Sequence, residues 1–300
     1  MNPQEREQHI VDTWDFDDPQ ATFERFSADV ESVGPNTADG LTLRTQQGRS
    51  LGLQRRFDEA NALLDAVATD LDTHSGDLDE ADGHHVRARL AIERGRVLNS
   101  SGDAAGARPH FDEAYDESMA VGLDGLAVDA LHMTAIVVGS IDGPAAATAV
   151  NSQAISVAER SSDPAARRWL GSLLNNLGWD RHDAGSYDEA LDIFRRALAV
   201  RQEQGSRREI EIARWCVGRC LRSLERYSEA LDIQETLAES RSGSEDGYVY
   251  EEIGENLLAL GRDEDAAAYF SRAHELLSDD DWLVDNESER LERLLFLSDD

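Results

Sequence analysis

The chain has no lysine. All 29 of its basic residues are arginine, set against 61 acidic ones, and the 300 residues carry a formal net charge of −32. Without lysine there is no P-loop, no pyridoxal or aldolase Schiff base, no Ser–Lys dyad and no kinase-type phosphate lysine. The acidic balance also excludes the basic footprint that nucleic acid requires, and it disfavours anionic membrane surfaces. Cysteine is scarce: Cys216 and Cys220 stand four apart in one helical pattern. That is no disulfide framework, and it fits a reducing cytoplasm. The N-terminal stretch Met1–His9 has no apolar segment, so no signal peptide is expected. The most apolar run, Ala135–Ile141, is far shorter than the ~20 residues of a spanning helix. Neither G-x-G-x-x-G nor H-E-x-x-H occurs. Gly48–Gly52 matches G-x-S-x-G but lies in a helical pattern, without the strand a nucleophile elbow needs. No cofactor and no metal are expected, and no enzyme activity.

What the chain does have is carboxylate, leucine and alanine. An acidic, lysine-free surface suits a salt-rich cytoplasm, because hydrated carboxylates keep a protein soluble there. Residues 3–33 read as two helices split at Asp17–Pro19, with Asp18 as cap and Pro19 at the first helical position. From about residue 41 a helix–turn–helix unit recurs. Its second helices carry Ala60, Ala107, Ala147, Ala190, Ala230 and Ala266. Twelve residues before these stand Gly48, Gly95, Ala135, Gly178, Gly218 and Gly254. Four residues after them stand Leu64, Phe111, Asn151, Phe194, Gln234 and Phe270. Seven after them stand Val67, Ala114, Ala154, Ala197, Leu237 and Ala273. Of these four positions in six registers, only Asn151 and Gln234 are polar. Ser186–Glu189 has the form of a capping box, and Gly102, Gly185 and Gly261 fall at the turns. A last helix is expected over Trp282–Leu297.

This pattern resembles the tetratricopeptide repeat (TPR), with alanine spacings of 36 to 47 residues against the usual 34 or so. The fuller stretches Trp14–Pro19, Gly52–Arg55, Arg214–Arg219 and Gly247–Gly254 resemble a group of uncharacterised prokaryotic, haloarchaeal TPR proteins. The resemblance implies an all-α, right-handed superhelix of about six repeats over residues 41–278, with an N-terminal helical cap at 1–40. A C-terminal capping helix and acidic tail would follow at 279–300. It also implies that the first helix of each repeat, helix A, lines an inner groove. By that register the groove would present Arg49 and, in the second repeat, Arg89, Arg96 and Asn99. His132 follows in the third repeat. The fourth supplies Asn175, Trp179 and His182, the fifth Trp215, Arg219 and Arg222, and the sixth Tyr248. Guanidinium forks suit carboxylates, and the aromatic rings suit stacking. The expected function is a cytoplasmic scaffold that binds an extended peptide, an acidic segment or a C-terminal carboxylate in the groove. The alternatives are a regulator responsive to a peptide or small anion, or an enzyme built on His and Cys. A competing role for the arginines is internal pairing with Asp and Glu of adjacent helices.

Overall fold

A computed structural model describes residues 1–240 and 245–298, so the last two residues of the expected acidic tail lie outside it. The regular elements among the described residues are all helices, without strands. The chain divides into two compact units, Met1–Leu173 and Leu174–Asp300.

In the first unit, α1 (Pro3–Thr13) and α2 (Pro19–Val33) precede three helix pairs: α3 (Ala38–Leu53) with α4 (Phe57–His74), α5 (Glu80–Ser100) with α6 (Ala104–Ala120), and α7 (Asp124–Asp142) with α8 (Pro144–Arg160). The short α9 (Pro164–Arg168) follows, and α10 (Leu170–Asp183) begins. The second unit continues through α10 and pairs it with α11 (Tyr187–Gln204). It then pairs α12 (Arg207–Ser223) with α13 (Tyr227–Ser240), and α14 (Gly247–Ala259) with α15 (Asp263–Leu277). It ends in α16 (Asp281–Asn286) and α17 (Ser288–Ser298).

The spacing of small and large residues explains the pairing. A Cβ on Gly95 would lie 2.5 Å from Phe111, and one on Gly178 would lie 2.5 Å from Phe194. The helices of these two pairs therefore approach at a glycine, and the phenylalanine sixteen residues later fills the crossing. Both rings are fully buried, as are Ala107, Ala190, Ala114 and Ala197 beside them. Burying each phenylalanine stabilises its pair by about 1.5–3 kcal/mol relative to exposure.

Several local expectations need correction. Ser186 makes no side-chain cap bond; Glu189 instead reaches Arg181 at 3.3 Å. The expected last helix is broken at Glu287, whose backbone turns to φ −133° and ψ 39° and closes α16 by donating to the Leu283 carbonyl. The apolar run around Ala135 belongs to a longer helix than expected. α7 has 19 residues and a mean hydropathy of 1.3 over its best window, long and apolar enough to cross a membrane by length and composition. More than half of that window is buried inside the protein, as expected of a core helix.

Gln234 occupies the position that phenylalanine fills in three other repeats. It is fully buried; its Nε2 donates to the Trp215 carbonyl at 3.4 Å, and its Oε1 has no partner. An unpaired buried acceptor is costly. Replacing it, Gln234→Leu, is expected to stabilise the second unit by about 1 kcal/mol, seen as a higher urea midpoint. A midpoint at or below that of the parent would refute this.

Candidate functional site

The helix A positions singled out in the sequence form two separate clusters, one in each unit.

The cluster in unit 1 is ionic. α5 carries Arg89, Glu93 and Arg96 at i, i+4 and i+7, so all three project from one face. Glu93 is fully buried. Its Oε1 accepts from Arg96 Nη1 at 2.8 Å and Gln46 Nε2 at 3.3 Å, and lies 3.6 Å from Arg89. Arg96 also donates from Nη2 to both Asp129 oxygens, at 2.6 and 2.7 Å. Burial alone would lower the Arg96 pKa, but Asp129 and Glu93 outweigh it and raise it. The same pairing, against burial that would raise it, holds Asp129 below the usual carboxylate range. Arg89 forms a bidentate pair with Glu7 of α1, with Nε to Oε1 at 2.7 Å. Glu7 Oε1 also faces His85 Nε2 at 2.6 Å, while Arg6 Nη1 meets His85 Nδ1 at 3.3 Å. A guanidinium only donates, so His85 accepts at Nδ1 and carries its proton on Nε2, which donates to Glu7. Burial lowers the His85 pKa, keeping the ring neutral.

Arg49 is different. Among the described residues its side chain makes no hydrogen bond. Its Nε lies 3.9 Å from Glu93 Oε2, itself a buried oxygen without a partner. Its guanidinium carbon sits 5.1 Å from the Trp14 ring and 5.2 Å from the Phe16 ring, within cation–π range. Burial first, then Arg96, pull its pKa down to about 10. Arg49, Arg89, Arg96 and Asp129 line a cleft of about 850 Å³ together with Glu7, Trp14, Phe16, Arg168 and Trp169. His132 lies near it, its ring 5.1 Å from Trp169 and its buried Nδ1 without a partner; burial lowers its pKa. Asn99 is half-buried near the end of α5.

The cluster in unit 2 is aromatic. Trp179, Trp215 and Tyr248, all half-buried, stand on α10, α12 and α14 in succession. Their centroids are 6.1 Å and then 6.5 Å apart. Trp179 packs edge-on against Phe194 and His182. Asn175 accepts from the Cys216 thiol at 3.2 Å, and His182 Nε2 meets Ser223 Oγ at 2.9 Å. Arg222 grips Glu252 with two bonds of 2.8 Å. Arg219 lies 3.3 Å from the same carboxylate and donates to Ser223 at 2.7 Å. Glu252 is buried, so these two arginines are held by the adjacent helix.

The other motifs do not assemble chemistry. Ser50 of the G-x-S-x-G match is buried inside α3 and donates to the Pro19 carbonyl at 2.5 Å. Burial pushes the thiol of Cys216 up to about 12 and that of Cys220 to about 11, far from the thiolate that reactivity needs. Among the described residues, no group of three or more His, Cys, Asp or Glu is placed to hold a metal.

Sequence reasoning missed Glu7, Glu93 and Glu252, the carboxylates that occupy the arginines. Glu93 left a trace in the sequence, since it falls among Leu90, Ala91, Ile92 and Gly95, where an exposed charge does not belong. Glu7 left none.

Residues 170–203 match the tetratricopeptide-repeat family. A search of curated proteins found no significant match. Among solved structures, the apo form of RapI is similar at a TM-score of 0.69 and 11% identity, over 93% of this chain and 76% of that one. A STAND signal-transduction ATPase with a tetratricopeptide-repeat sensor, from Pyrococcus horikoshii, gives 0.72 and 10% identity. That match covers 91% of this chain but only 42% of the other. BtubC from P. vanneervenii gives 0.57 and 14% identity, over 77% of this chain and 89% of that one. At such identities these likenesses speak for the fold, a solenoid of TPR-type helix pairs.

Proposed function

We propose that this chain is a non-enzymatic interaction module that holds an extended peptide against the helix A face of unit 2. The observation that carries this reading is the row of half-buried rings, Trp179, Trp215 and Tyr248, on three successive A helices. One side of each ring packs against the core, Trp179 edge-on to Phe194, and their half-burial leaves the rest of the ring exposed to a ligand. A peptide laid across them would stack apolar or aromatic side chains on the row. Beside the row, Asn175 keeps its amide donors for a peptide carbonyl. Arg219 and Arg222 already share Glu252, so an acidic segment would have to displace a buried carboxylate; the ring row favours apolar side chains over acidic ones. A cytoplasmic setting and a salt-rich one remain part of the proposal, on the composition alone.

Selection of a displayed random-peptide library on the full chain tests this. Selected peptides are expected to be rich in aromatic and aliphatic residues, and to bind the Trp215→Ser, Tyr248→Ser variant at least about tenfold more weakly, with unchanged helix content. Equal affinity for that variant would refute the ring row. Loss of binding confined to Arg219→Glu, Arg222→Glu would point to acid recognition instead.

A further inference from the structure

The helix A positions of unit 1 that were expected to meet a ligand already meet one, supplied by the chain itself. α1 lies against α3 and α5. Its buried side chains are Arg6 and Ile10. Arg6 reaches Asp39 at 2.5 Å, Asp82 at 2.7 Å and His85 at 3.3 Å. Glu7 is clasped by Arg89 and His85. The terminal ammonium lies 3.2 Å from Asp39, and just past the helix Trp14 Nε1 donates to Gln46 at 3.0 Å.

Two features make this a docked segment rather than a core helix. First, its hold is chiefly ionic. Ile10 is its only buried apolar side chain, whereas each core helix of the repeats buries several. Second, at 11 residues α1 is too short to be stable as a helix away from its seat. The seat is made of residues on other elements: Asp39 on α3, and Asp82, His85 and Arg89 on α5. It would persist if α1 left. It is selective, because it places two carboxylates for a cation and a guanidinium with an imidazole N–H for an anion, one residue apart on a helix.

We propose that this face of α3 and α5 is a receptor for a short helix with the pattern Arg-Glu-x-x-Ile, that α1 is its tethered resident, and that a helix of the same chemistry in a partner protein enters by exchange with it. The proposal is independent of the peptide reading of unit 2.

The test uses the full chain and a fluorescein-labelled peptide of residues 2–16. In the Glu7→Arg chain the resident is repelled by Arg89 and leaves its seat free. The wild-type peptide should bind this chain at least about tenfold more tightly than it binds the wild-type chain, by anisotropy. A Glu7→Arg peptide should fail on the Glu7→Arg chain but bind an Arg89→Glu chain, where the charges are complementary again. Circular dichroism confirms that each chain is folded, and the two matched pairs keep the test open if one variant is not. Mismatched pairs that bind as tightly as matched ones would overturn the proposal. So would matched pairs that bind no better than wild-type peptide on wild-type chain.

Discussion

Replacing Glu93 with alanine is expected to cost the first unit about 3–5 kcal/mol, the loss typical when one partner of a buried ion pair is removed. Glu93 is fully buried. It is the carboxylate that Arg96 bonds at 2.8 Å, and Arg89 and Arg49 lie 3.6 and 3.9 Å from it. Arg89 and Arg96 retain Glu7 and Asp129, but among the described residues Arg49 has no other ion-pair partner. Its guanidinium is already disfavoured by burial and by Arg96. Without Glu93 three cations would face one another in a partly dry site. Glu93→Gln keeps the shape and an acceptor oxygen, so it should cost less than alanine. Glu59→Ala serves as the control, because its partner Arg56 lies beside it on the exposed surface. Such pairs contribute little, and that variant should leave the urea midpoint unchanged. If Glu93→Ala unfolds at the same urea concentration as the control, the network is dispensable and the expectation fails.

The second large effect is a loss of stability in acid, carried by Glu7. Burial would raise its pKa, but Arg89 and His85 overcome that and lower it from 4.5 to about 2. A carboxylate depressed by folding stabilises the native state fully above its unfolded pKa. That contribution fades as pH falls through the folded value. The drop from 4.5 to about 2 is equivalent to about 3 kcal/mol, present at neutral pH and lost between about pH 4.5 and 2. Wild type and Glu7→Gln should therefore differ by that amount at pH 7 and converge below about pH 2, where the protonated glutamic acid resembles glutamine. Urea unfolding at intermediate pH values traces the convergence. A gap that stays constant with pH would show that Glu7 contributes through packing rather than charge.

The helix pairs were legible from the sequence, and the candidate site was legible only in part. Gly178, Ala190, Phe194 and Ala197 state a contact in their spacing, because both partners lie within about twenty residues of each other and each helix repeats every 3.6 residues. The same reasoning placed Asp18 and Pro19 at the start of α2, where the Asp18 side chain accepts from the Ala21 amide. It erred at Ser186, whose side chain makes no cap bond, and at Glu287, where the backbone breaks within a continuous apolar pattern.

The register picked out Arg89, Arg96, Arg219 and Arg222 as a set, and the structure shows each of them held by a carboxylate. Which carboxylate could not be read from the sequence. Glu7 and Arg89 are 82 residues apart, Arg96 and Asp129 are 33 apart, and Arg222 and Glu252 are 30 apart. With 61 acidic residues available, a charge in the sequence does not name its partner. By itself the sequence determined the helix pairs, since periodic burial and close approach at small residues are local, short-range demands. The tertiary structure alone decided that α1 lies on the helix A face and that the arginines are paired. Ion pairing at a buried site depends on where distant backbones bring side chains together, and no local pattern encodes that distance.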